Sequence, residues 1–181
     1  MKVPWAIALA VLGMGASSSS SRMTVPAYDA AGDVLRPEGY REWVFVGTSL
    51  GLRYQGEGAA NDGPGSFHNV YIQPEAYEEY TRTGRFPEKT MLAMEVYSAG
   101  AKDPKSGLTS GWFSDRLTGF SAAIKDKERF PEGWGYVSFM RDGSAMAATA
   151  RPFAKARCYD CHLEHGATDN VFTQFYPLLR R

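Results

Sequence analysis

Short runs of alternating apolar and polar residues fill the middle of this chain, and they predict a sheet. In Thr90 to Tyr97, the side chains of Thr90, Leu92, Met94 and Val96 fall on one face and those of Met91, Ala93, Glu95 and Tyr97 on the other. Trp43 to Gly47 is β-branched and aromatic and ends on a glycine, and Phe67 to Ile72 has the same character and stops at Pro74. Leu117 to Ile124 and Gly135 to Met140 supply two more strands, separated by the charged Lys125 to Arg129 and the turn residues Pro131, Glu132 and Gly133. Gly56 to Gly65 and Gly100 to Gly111 read as polar, glycine-containing loops, and Met23 to Pro37 as an irregular arm.

Helical signals are fewer. Pro74 to Tyr80 places proline early and carboxylates in the first turn, where they complement the helix dipole, and Gly84 marks the stop. Ala145 to Arg151 favours helix, and Asp169 to Leu179 is apolar enough to predict a closing helix. Strands in succession with helices gathered at the end predict an α+β fold, a mainly antiparallel β-sheet with a few helices.

The ends divide the chain. Lys2, the apolar run Val3 to Leu12, the small residues Gly13, Gly15 and Ala16 and the serine string Ser17 to Ser21 have the layout of a secretory signal peptide. The run is short for a bilayer span, which needs about 20 apolar residues. Residues 1–22 are therefore read as a leader, and residues 23–181 as a single domain delivered to the periplasm. Twenty basic and twenty acidic residues give a formal net charge of +0, which offers no electrostatic footprint for nucleic acid or an anionic membrane.

The chemistry is concentrated in Cys158, Tyr159, Asp160, Cys161 and His162, a C-x-x-C-H pentapeptide. Two thiols at this spacing add to the two vinyl groups of one haem while the adjacent imidazole coordinates iron. Cys158 and Cys161 are the only cysteines, so an exported chain has no scaffold disulfide for them to make. Two alternatives stand beside haem c. A zinc site from Cys158, Cys161, His162 and His165 crowds four ligands into one short stretch, and a redox dithiol calls for a thioredoxin-like alternation of strands and helices.

With these residues in view, the chain resembles the cytochrome P460 family, which includes the β-type cytochromes c′. The matching stretches are GYREWVFVGT at 39–48, FHNVYIQPEAY at 67–77, TGRFPEKT at 83–90, the pentapeptide, and TDNVFTQFYPLL at 168–179. The resemblance implies a homodimeric, sheet-rich protein with one covalently attached haem c. It also implies His162 as the proximal iron ligand and a high-spin iron whose open side meets NO, CO or hydroxylamine, with a redox partner protein to exchange electrons. P460 enzymes carry a lysine cross-linked to the macrocycle, and the register after TGRFPEKT puts Met94 at that position. A thioether has no amine to form that bond, which counts against hydroxylamine oxidation.

Several side chains are candidates for the distal side. Met94 is read as packing at the haem edge, with axial ligation and a sulfur-to-haem cross-link as alternatives; ligation would make a His/Met electron-transfer cytochrome. His68 is a candidate to hydrogen-bond a bound ligand or move protons near neutral pH. Phe67, Phe120 and Phe153 are candidates to cap the iron. Glu95 is out of phase with Met94 and is expected in solvent or in a salt bridge.

Overall fold

The computed structural model describes residues 26–53, 63–101, 107 and 111–181; the expected leader lies outside the described residues. The architecture is α+β and mainly antiparallel. Five strands, β2 (Val44–Leu50), β3 (Ser66–Ile72), β4 (Met91–Ala101), β5 (Trp112–Lys125) and β6 (Trp134–Met140), pair antiparallel in chain order. Two short strands, β1 (Val34–Leu35) and β7 (Thr149–Ala150), form a second small sheet. Helix α1 (Pro74–Thr83) joins β3 to β4, and α2 (Lys155–His165) follows β7.

Register fixes what each face of the large sheet carries. Val70 faces Met94, Met94 faces Ser121, and Ser121 faces Ser138. The next row on the same face runs Ile72, Leu92, Ala123, Tyr136. Because directly paired residues share a face, these two rows make a floor. One hydrophobic core lies on that floor with Val46, Tyr80, Phe86 and Trp134. The second core lies behind the sheet, where Ala93, Phe120, Ala122, Val137 and Phe139 meet Val34 and Ala150 of the small sheet, with Tyr40 and Trp43 packed against them.

Helix α1 forms as the sequence dictates, with Pro74 at its start and Gly84 beyond its end at φ 76°, where glycine adopts the left-handed conformation without a Cβ clash. Ala76 and Tyr80, four residues apart, are its buried face, and Tyr80 stacks on Phe86 with centroids 4.2 Å apart.

Two expected helices do not form. Residues 145–151 give their backbone groups to strand-like pairing instead: Ala147 N donates to Phe139 O, Arg36 N donates to Ala148 O, and Thr149 and Ala150 pair with β1. A seven-residue helix is too short to offset its nucleation cost when such partners are at hand. Residues 169–179 hold only a 3-10 turn at Thr173–Phe175. Asp169 and Asn170 at φ 47° and 61° bend the chain left-handed, and Pro177 blocks continuation. The arm over 23–37 is correspondingly less irregular than its composition predicts, since Val34–Leu35 is a strand.

Asp126, fully buried at the end of β5, ties the arm to the sheet. It accepts from Tyr28 Oη at 2.8 Å, Lys89 Nζ at 2.6 Å and the Glu128 backbone N–H at 3.1 Å. Burial alone would raise its pKa, but the bonds from Lys89 and Tyr28 outweigh burial and hold it below the ordinary 3.8. Its contribution is thus fully present above that ordinary value and is lost as the pH falls below it. Asp126→Ala should cost about 3 kcal/mol at pH 7, the low end for breaking a buried pair, and the gap to wild type should narrow as urea unfolding is repeated toward pH 3.

Candidate cofactor cavity

Between the sheet floor and helix α2 lies a cavity of about 740 Å³, within the size range of small-molecule and cofactor sites. Its floor is Val70, Leu92, Met94, Ser121, Ala123 and Tyr136. Its opposite wall is the pentapeptide. Because Cys158, Cys161 and His162 stand at positions i, i+3 and i+4 of α2, one helix face presents two thiols and an imidazole together. Both cysteines are half-buried, and no disulfide joins them.

The imidazole is fixed from three sides. The His162 ring lies between Tyr136 and Phe172, with centroid separations of 4.2 and 4.5 Å. Its Nδ1 is 2.9 Å from the backbone carbonyl oxygen of Asn170. A carbonyl only accepts, so Nδ1 carries the proton and Nε2 keeps its lone pair for a metal. Burial pushes the His162 pKa below its ordinary range, the Asn170 bond opposing, and so favours the neutral ring that coordination requires.

That carbonyl is itself held in place. Tyr136 Oη donates to Asn170 O at 3.2 Å. The preceding residue, Asp169, accepts from Lys125 Nζ at 2.5 Å and from Trp134 Nε1 at 3.1 Å. Gly166 makes the close approach possible, because a Cβ there would sit 2.6 Å from His162 O and 2.9 Å from Val171 N.

The donor set fits a covalently held haem: two thiols and one available imidazole nitrogen on one helix face, opening on an apolar floor. Asn170 also lines this cavity, and its buried amide nitrogen Nδ2 has no hydrogen-bond partner. The zinc alternative loses its geometry, since among the described residues no three His, Cys, Asp or Glu side chains gather into a metal cage. The redox-dithiol alternative loses its setting, since the sheet is an antiparallel meander. Burial pushes the Cys158 thiol up in pKa, with Arg157 and Arg141 opposing.

The structure separates the distal candidates. Met94 and Phe153 both line the cavity, and Phe153 N donates to Tyr136 O at 2.9 Å. His68 pairs with Val96, so it shares Met94's face but stands one row further along, half-buried and outside the cavity lining. Phe67 and Phe120 are on the other face and do not cap the cavity. Phe67 pairs with Tyr97, and Phe120 pairs with Glu95 and packs on Tyr40 and Phe139 at centroid distances of 4.6 and 5.7 Å. The two-residue period of their strands decides this. Glu95 is likewise behind the sheet and is in a salt bridge rather than in solvent. It is 2% exposed, with Arg41 Nη2 at 2.7 Å and Tyr40 Oη donating at 2.6 Å.

Sequence reasoning did not single out Tyr136, Asn170, Phe172, Arg141 or Arg157. Tyr136 could have been found from strand parity, since it is two residues from Ser138 on the floor face. Asn170 acts through its backbone, which leaves no side-chain signal.

The profile of the family described as Cytochrome P460 matches residues 37–173, from the entry of the sheet through the turn after Asn170. Among curated proteins, none matches this chain. The chain belongs to the cytochrome P460 family and is a c-type cytochrome of the P460 type.

Proposed function

We propose that this protein is exported, carries one haem c joined to Cys158 and Cys161, and uses it to bind or transform NO, hydroxylamine or a similarly small nitrogen ligand. The observation that carries the reading is the single committed ligand on the cavity wall. His162 lines one side with Nε2 left as its available nitrogen, while the floor opposite is aliphatic apart from Tyr136, the hydroxyls of Ser121 and Ser138 and the thioether of Met94. Bound haem would supply a high-spin iron with an open coordination position.

The protein's own residues set the terms of that chemistry. The Asn170 carbonyl draws on the Nδ1 proton of His162 and strengthens the imidazole as a donor. Val70, Leu92 and Ala123 keep the floor dry, and Phe153 narrows the cavity from the side. Among the described residues no carboxylate lines the cavity, so they do not gather there the groups that would take several protons from hydroxylamine. Binding of NO or CO is thus better supported than hydroxylamine turnover, and Met94 in place of a cross-linking lysine points the same way.

A second reading has an observation in its favour. Met94 lines the same cavity as His162, so a His/Met-ligated electron-transfer cytochrome is its rival. The two differ in spin state. The expected homodimer finds support in β2, the outer strand of the large sheet, where the apolar side chains of Phe45 and Leu50 are 45% and 41% exposed. The periplasm is the matching compartment, and a redox partner protein would reset the iron there.

The reduced protein should bind CO and NO readily, with an optical spectrum that Met94→Ala leaves high-spin. A low-spin spectrum that becomes high-spin only in Met94→Ala would establish the rival reading. Cys158→Ala with Cys161→Ala should abolish haem that survives denaturation on a haem-stained gel. Asp169→Ala, which frees the Asn170 segment from Lys125 and Trp134, should weaken the His162 bond and raise the midpoint potential; an unchanged potential would mean that this anchor does not act on the imidazole.

A further inference from the structure

The charged side chains on the cavity wall are of one sign. Arg141, just beyond β6, and Arg157, in the first turn of α2, both line the cavity, and among the described residues no aspartate or glutamate does. Their guanidinium carbons lie 4.5 and 4.6 Å from the centroid of the same ring, that of Phe153. Stacking on an aromatic face orients a guanidinium and leaves its N–H fork free for an anion. Elsewhere in the described chain Arg41 is paired with Glu95, Lys89 with Asp126, Lys125 with Asp169, Arg151 with Asp33 and Lys155 with Asp160, whereas Arg36, Arg85, Arg116 and Arg129, like the two rim arginines, are in no ion pair. What sets the rim pair apart is their shared ring and their place on the cavity. Neither Arg141 nor Arg157 has a carboxylate within ion-pair distance among the described residues.

The helix adds to the same sign. The first turn of α2 contains no acidic residue, although its amino end carries the positive pole of the helix dipole. Two exposed arginines on one ring beside that pole have their mutual repulsion screened by water, and they offer an anion lying between or beside them two cations at once. A ligand that brings negative charge to the rim while its apolar body lies on the floor matches both features. A tetrapyrrole with two carboxylate side chains has that shape and that charge.

Resting on the haem reading above, we propose that Arg141 and Arg157, stacked on Phe153 at the cavity rim, are the site that binds the propionate carboxylates of the haem. A guanidinium forms two parallel bonds to one carboxylate, so two arginines match two propionates in both number and charge. Phe153 then has a second role, as the plate that spaces the two forks.

The test uses the haem-loaded protein and the variants Arg141→Gln, Arg157→Gln and the double variant, with Arg82→Gln as a remote surface control. Pyridine haemochrome and intact mass come first: wild type without covalent haem defeats the haem reading itself, separately from this proposal. In loaded protein, each single variant should lower the midpoint potential and shift the propionate bending bands of the resonance Raman spectrum, and the double variant should do both further. Potentials and bands like those of Arg82→Gln would overturn the proposal. If the glutamine variants fail to load, Arg141→Lys and Arg157→Lys keep the charge but lose the fork, and unshifted propionate bands in both would overturn it equally. A free oxyanion is the other source of the same chemistry. A saturable nitrite-induced spectral change in wild type that the double variant loses, with propionate bands unmoved, would assign the site to the free anion and overturn the proposal.

Discussion

The two-residue period of β4, locked between β3 and β5, is the constraint on which the rest of the site depends. It sends Leu92 and Met94 to the cavity and Ala93 and Glu95 to the rear core. Slipping the register by one residue would exchange the two sets, placing a carboxylate on the apolar floor and a thioether among tyrosines. The buried Glu95 opposes that slip. Its bonds to Tyr40 and Arg41, with Tyr71 Oη at 3.3 Å, join the 3-10 turn before β2 to two neighbouring strands behind the cavity. A buried charge with these partners tolerates one register, because any other leaves it unpaired at a cost of several kcal/mol.

On the cavity side the organisation is different in kind. The sheet contributes shape and dryness, while the coordinating group comes from a helix and is oriented by a backbone carbonyl. That carbonyl occupies its place because Asp169 and Asn170 adopt left-handed backbone angles, an arrangement maintained by Lys125 and Trp134 from the sheet. The rigid floor thus governs the orientation of His162 through two intermediaries, so that substitutions on β5 or β6 reach the imidazole without touching it.

Much of this was legible from residue order. The five strands, α1 with its Gly84 stop, and the pairing of Cys158, Cys161 and His162 follow from periodicity and spacing, both local properties. The family was legible as well, from five stretches that span most of the domain. The two missing helices were not, because apolar content in 145–151 and 169–179 serves contacts with distant strands, a tertiary demand that overrides local preference. Phe67 and Phe120 were placed among the cavity candidates by residue type, whereas parity puts them behind the sheet. The arginines at the rim were invisible for another reason: a charged residue looks like ordinary surface until the partner it lacks becomes apparent in three dimensions.

Helix α2 buries none of its eleven residues fully. Its hold on the sheet rests on the His162 ring, the Asn170 bond and the apolar contacts of Cys158 and Tyr159. Two thioethers from the same helix face would convert this light contact into a riveted joint, with the macrocycle as the plate between helix and sheet. Undocking the helix and withdrawing the ring from its floor then become one mechanical event.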